Sequence, residues 1–171
     1  MTSTSSPSES RHAETVAYLK DHSLVVVTAE SCTAGLIASR LAATPGAGAV
    51  LDSAYVVYDP KAKQRCLGVR KETLEQHNLT SEPVALEMAR GAMRNSDATL
   101  AISNTGVADD SDPDVEPGTQ CYAWIFRDPH GETHEFTETK VFAGERNDVR
   151  EASADHALDR IVPHHRSIHP Q

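Results

Sequence analysis

The sequence predicts an α/β fold, layered α/β/α, with a mixed sheet that is mainly parallel and carries an antiparallel hairpin late in the chain. Three observations predict it. Short β-branched runs alternate with segments of helical spacing. Serine, threonine, aspartate and proline stand where the helices would begin. Two runs of period two flank a turn near residue 130.

In chain order, Leu24-Val25-Val26-Val27-Thr28 reads as a buried strand. Ser31-Cys32-Thr33 supplies N-cap chemistry for a helix carrying Leu36, Ile37 and Leu41, which Pro45-Gly46 ends. Ala54 to Tyr58 forms a second strand. Asp59-Pro60 is a turn that opens a short helix over Lys61 to Cys66, with proline at its first position. Thr80-Ser81-Glu82-Pro83 opens a helix whose apolar positions are Val84, Leu86, Met88, Ala89 and Ala92. Ala98 to Ser103 is the third strand. Gln120 to Arg127, with Tyr122, Trp124 and Phe126 alternating, pairs with His134 to Phe142 around Asp128-Pro129-His130-Gly131. The alternation places Trp124 in a core strand. A last helix runs from Asn147 to Ile161. Residues 1–11, rich in serine and threonine, are expected to be a disordered tail, 12–162 a single domain, and 163–171 a frayed tail with His164, His165 and His169 in solvent.

Composition narrows the function classes. The 171 residues are 39% hydrophobic and 24% charged, with 16 Lys plus Arg against 25 Asp plus Glu, for a net charge of −9. That balance disfavours a nucleic-acid binder, which needs a basic face, and disfavours docking on an anionic membrane surface. No stretch is apolar enough to span a bilayer, and Met1 to Ser10 lacks the features of a secretory signal. Cys32, Cys66 and Cys121 are too few and too widely spaced for a disulfide framework or a metal knuckle. The expectation is a reduced, cytoplasmic protein with no metal and no cofactor.

Ligands of open α/β sheets bind beyond the carboxyl ends of the strands. Three segments deliver polar residues there: Glu30-Ser31-Cys32-Thr33, Tyr58 with Lys61 and Lys63, and Asn104-Thr105-Gly106. Each also has a plain structural reading. Ser31 or Thr33 serves as an N-cap, Thr105-Gly106 as an ordinary turn. Lys61 and Lys63 lie about 200° apart on a helix, so one of them is a solvated surface lysine.

Thr28-Ala29-Glu30-Ser31-Cys32-Thr33-Ala34-Gly35 resembles the T-A-E-S-C-T-G-G signature of the CinA C-terminal-domain family. The resemblance continues through Val56-Val57-Tyr58 with Lys63, Leu67-Gly68-Val69, Ser81-Glu82-Pro83-Val84-Ala85, Thr105-Gly106-Val107-Ala108, Pro117-Gly118-Thr119, and Phe142-Ala143-Gly144-Glu145-Arg146 with Arg150. It implies a stand-alone amidohydrolase acting on a small nucleotide or amide. The activity implied is deamidation of nicotinamide mononucleotide to nicotinate mononucleotide and ammonia. It also implies a homodimer or higher homo-oligomer.

On that resemblance Ser31 is the nucleophile and Lys63 the base, paired with the Tyr58 hydroxyl. Thr33 and Thr105 position substrate beside Gly106, and the amides of the helix near Thr33 receive a phosphate or an oxyanion. Arg146 and Arg150 clamp a phosphate, or lie solvated on the last helix, and Glu30 orients a hydroxyl or a lysine. The likeness breaks after Ala108. Where the family has Gly-Pro-x-Gly-Gly, this chain has Asp109-Asp110-Ser111-Asp112-Pro113-Asp114-Val115-Glu116. Unit charges about 8 Å apart at an effective dielectric near 20 repel by about 2 kcal/mol, so these carboxylates oppose an anionic ligand. The loop lacks the glycine and the closing acid of a calcium loop. Asp59-Pro60 likewise replaces the family's (S/T)-N. The alternative to hydrolysis is a CinA-like binding or interaction module; a DNA-processing role fits the acidic charge worst.

Overall fold

The computed structural model describes residues 7–168, with side chains from residue 10 onward. The elements in order are α1 (Pro7–Asp21), β1 (Val26–Glu30), α2 (Leu36–Ala42), β2 (Leu51–Val56), α3 (Pro60–Leu67), α4 (Lys71–Gln76), α5 (Glu82–Arg94), β3 (Leu100–Gly106), β4 (Thr119–Arg127), β5 (Thr133–Val141), α6 (Arg146–Asp159) and α7 (Ile161–Ile168). The sheet order is β2-β1-β3-β4-β5. β1 runs parallel to both its neighbours, and β4 is antiparallel to β3 and to β5. The predicted mixed α/β sheet is therefore present, with its antiparallel part at the β3–β4–β5 side.

Period-two alternation sends each strand's side chains to two separate cores. On one face Val26, Leu100, Ile102, Tyr122, Trp124 and Phe126 pack under α1, α2, α6 and α7, through Leu19, Ile37, Leu41, Leu158 and Ile161. On the other, Val27, Ala29, Ala101, Ala123 and Ile125 pack under α5 and α3, through Val84, Met88, Ala92 and Leu67. The expected core position of Trp124 is correct: it is fully buried and its indole N–H donates to the Ala157 carbonyl at 2.9 Å. Gly91 lets α3 close onto α5, because a Cβ there would meet the backbone of Leu67.

Several boundaries differ from the sequence expectation. The N-terminal tail is helical from Pro7, and the reason is tertiary. α1 carries few apolar residues, but Val16 and Leu19 are buried, and Arg11 and His12 pair with Asp159 and Asp155 of α6. The C-terminal tail is helical too. Pro163 falls in the first turn of α7, where its missing N–H has no helical partner to lose. His164 is buried and stacks on Phe136 with centroids 4.4 Å apart, and the Tyr18 hydroxyl bonds to His165. Residues 1–6 and His169 lie outside the described residues. The second strand is Leu51–Val56 rather than Ala54 to Tyr58, so Tyr58 stands beyond its end.

The turn after β1 also departs from the expected N-cap. Ser31 and Thr33 do not cap α2; the N-cap is Gly35, and Ala34 and Gly35 both have left-handed backbones at φ 48° and 96°. The side chain that serves the helix is Glu30. Its buried carboxylate accepts from Thr28 Oγ1 (2.9 Å), Thr33 Oγ1 (2.7 Å), Gly35 N (2.9 Å), Ile37 N (3.1 Å) and Ala38 N (3.0 Å). An ionised carboxylate can accept from all five donors and is favoured at a helix N-terminus.

Two stability predictions follow from this turn. Glu30→Gln places an amide NH2 against backbone N–H donors and is expected to cost at least about 3 kcal/mol in urea unfolding. Ala34→Gly relieves the left-handed alanine and is expected to stabilise by about 0.5–1 kcal/mol in the same measurement.

Candidate active site

The carboxyl ends of β1, β2 and β3 open into one cleft of about 190 Å3, lined among others by Ser31, Cys32, Tyr58, Lys63, Leu79, Thr80, Thr105, Gly106, Ala108, Asp112 and Arg146. The position follows from topology. α2 leaves β1 over one face of the sheet, while the helices between β2 and β3 cross the other, so the chain parts at the tip of β1.

Lys63 reaches this cleft because α3 starts where it does. Asp59 caps the helix by accepting from Lys61 N at 2.7 Å, and Pro60 is the first helical residue. One turn in, Lys63 points inward and is 1% exposed, while Lys61 faces solvent. Of the two lysines, Lys63 is therefore the one in the cleft. Its Nζ donates to Ser31 Oγ at 2.9 Å, to the Val57 carbonyl at 2.8 Å and to the Tyr58 carbonyl at 3.0 Å. Burial pushes its pKa down to about 8, against a smaller upward pull from Asp59. An amine losing its proton there keeps two N–H groups for the two carbonyls, which leaves its lone pair for the Ser31 hydroxyl.

The structure brings Ser31, Lys63, Thr105 and Gly106 together, but the other expected contacts are different. The Tyr58 hydroxyl does not meet Lys63; the residue is 56% exposed and its hydroxyl accepts from Arg146 Nη2 at 2.9 Å. Thr105 lines the cleft, yet its hydroxyl donates to the Leu79 carbonyl at 2.8 Å, pinning the segment before α5 against β3. Thr33 is wholly buried with its hydroxyl on Glu30, and neither it nor Glu30 lines the cleft. The amides at the start of α2, expected to receive an anion, are spent on Glu30. Arg150 is no free clamp: its Nε donates to the Cys32 carbonyl at 2.9 Å, supporting the serine's turn from behind. Arg146 does line the cleft, and its Nη1 pairs with Asp109.

Sequence reading missed the network beneath the serine. Asn104 Oδ1 accepts from Thr33 N at 3.1 Å, and its Nδ2 donates to Gln120 Oε1 at 2.9 Å. Gln120 Nε2 in turn donates to the Val107 carbonyl at 3.0 Å, while Tyr122 and Ser153 bond through their hydroxyls at 2.6 Å. The available signal was a polar residue on a strand otherwise reading as core: Gln120 begins the aromatic alternation of β4 and is fully buried.

Comparison with known proteins agrees with this architecture. The chain is 37% identical over 145 residues to the nicotinamide-nucleotide amidohydrolase PncC of Escherichia coli (strain K12), covering 84% of this chain and 86% of that protein. It is 37% identical over 149 residues to a CinA-like protein of Akkermansia muciniphila, covering 86% of this chain and 35% of that one. The chain thus spans about a third of the length of several relatives of that kind. Among solved structures it resembles the competence damage-inducible protein A of Klebsiella pneumoniae, with TM-score 0.85, 32% identity and coverage of 97% and 100% of the two chains. A CinA superfamily protein of Escherichia coli gives TM-score 0.83 at 31% identity, covering 91% and 88%. Residues 8–164 match the CinA C-terminal domain, and at this coverage and identity the chain belongs to that family.

Proposed function

We propose that the chain hydrolyses the carboxamide of a nicotinamide nucleotide or a close relative of it, with Ser31 as nucleophile and Lys63 as general base. The observation that carries this reading is the buried 2.9 Å contact between Lys63 Nζ and Ser31 Oγ at the floor of the cleft. That the Escherichia coli relative is named a nicotinamide-nucleotide amidohydrolase supports the choice of substrate class. The three cysteines are unbonded, which suits a reducing, cytoplasmic setting.

The chemistry runs as acyl transfer. Ser31 Oγ forms a bond to the carboxamide carbon as its proton passes to Lys63 Nζ. The resulting oxyanion needs donors; the backbone N–H groups of Cys32 and Ala108, both of which line the cleft, have no acceptor among the described residues. Lys63 then returns its proton to the departing nitrogen, the C–N bond breaks, and ammonia leaves. Water attacks the ester as Lys63 takes its proton. Lys63 passes that proton to the Ser31 oxygen as its bond to the acyl carbon breaks, and the carboxylic acid leaves and releases its own proton to solvent. Thr105 serves by holding Leu79 and the cleft wall, and Arg150 by bracing the carbonyl of Cys32.

Ammonia release from nicotinamide mononucleotide and from its dephosphorylated riboside tests the reading. Ser31→Ala and Lys63→Ala, checked for folding by circular dichroism, are each expected to lower kcat at least about a hundredfold. Folded wild-type protein that turns over neither compound overturns it and leaves a binding module. Because the base must be neutral, kcat/KM is expected to rise about tenfold per pH unit below the Lys63 pKa of about 8 and to level off above it. A profile already flat at pH 6 would remove Lys63 from that role.

A further inference from the structure

We propose that the site takes a carboxamide whose far end carries hydroxyls and no phosphate, and that Asp109 sets this preference by standing in for the phosphate on Arg146. The inference rests on the hydrolase reading for the reacting end of the substrate and concerns only the other end.

Each cationic side chain at the cleft and each amide at the start of α2 already has a partner among the described residues, and the open N–H groups of Cys32 and Ala108 are assigned to the oxyanion. Arg146, the only arginine among the described residues that line the cleft, gives Nη1 to Asp109 and Nη2 to the Tyr58 hydroxyl. Arg150 gives Nε to the Cys32 carbonyl and Nη1 to Asn147. The first amides of α2 go to the Glu30 carboxylate. Lys63 lies at the reacting end, on Ser31 and two carbonyls. A phosphate entering the cleft therefore has to share Arg146 with Asp109 or displace it, and displacement exchanges one anion for another with little net pairing gained.

Asp109 is held ready for this role from its own loop. Ser111 N donates to its Oδ1 at 3.2 Å, leaving Oδ2 for the guanidinium. The next carboxylate makes eviction costlier. Asp112 also lines the cleft, fixed by Asn78 Nδ2 at 3.0 Å, and it repels an incoming anion. A hydroxyl-bearing end meets the opposite situation. Asp112 offers acceptors to O–H groups, and the Arg146–Asp109 pair need not open.

Steady-state kinetics on nicotinamide mononucleotide and its riboside test this directly. For the wild-type chain the ratio of kcat/KM, mononucleotide over riboside, is expected below about 0.1, and Asp109→Asn is expected to raise that ratio at least about tenfold. A wild-type ratio of one or more, or a ratio that Asp109→Asn leaves where it was, overturns the proposal. Binding separates this from failure of the hydrolase reading. Calorimetry on the Ser31→Ala protein is expected to give tighter binding of the riboside, with a shift of the same direction and size toward the mononucleotide when Asp109→Asn is added. Equal or tighter binding of the mononucleotide, or binding of neither compound, overturns the proposal whether or not the wild-type chain releases ammonia. Absence of turnover with the expected affinity ratio defeats only the hydrolase reading.

Discussion

A carboxylate buried at the tip of the central strand has to find donors, and the way Glu30 does so shapes everything around it. Its charge is met by two threonine hydroxyls and three backbone N–H groups. To bring the start of α2 back onto that carboxylate, the chain after β1 makes a tight turn through two left-handed residues, Ala34 and Gly35. That turn sets Ser31 on the cleft wall. It also aims the first amides of α2 into the protein, so the helix end contributes nothing to an anion in the cleft. The polar chemistry of the cleft is left to side chains and to amides of the two loops.

Those side chains form a closed set of pairings around an open space. Lys63 is buried without a carboxylate in contact, and desolvation rather than a neighbouring cation lowers its pKa. Two main-chain carbonyls orient it and a hydroxyl faces it, which is the arrangement an amine base needs. At the rim, Asp109, Arg146 and Tyr58 form a second group that closes on itself. Below the floor, Asn104 and Gln120 join β3 and β4 to the backbone of Thr33 and Val107, so the serine's turn and the loop after β3 share one rigid support.

Much of this was legible in the residues themselves. The β-branched run before Glu30 and the alternation of Tyr122, Trp124 and Phe126 imposed strands with known faces. Asp59-Pro60 announced the start of α3, and the helical period then allowed only one of Lys61 and Lys63 to face inward. The termini were not legible, for a physical reason. α1 carries few apolar residues for its length and α7 is only eight residues long with a proline inside it, so both owe their order to docking on α6 and on the aromatic face of β4. Local sequence carries no trace of a surface supplied from elsewhere in the chain.

The same division runs through the site. The amino-acid sequence by itself determined the layered fold and the strand tips at which chemistry would gather, because periodicity and helix geometry act over a few residues. The pair of a hydroxyl and an amine at Ser31 and Lys63 came from the resemblance to the CinA C-terminal-domain family. Only the tertiary structure decided which partner each polar group took. Tyr58 turned its hydroxyl to Arg146 and lent Lys63 its carbonyl; Thr33 and the α2 amides went to Glu30; Arg150 braced the Cys32 carbonyl; Asp109 claimed Arg146. Donors and acceptors scattered along the chain compete for one another only once folding has brought them within about 3 Å, and burial then makes an unpaired one costly.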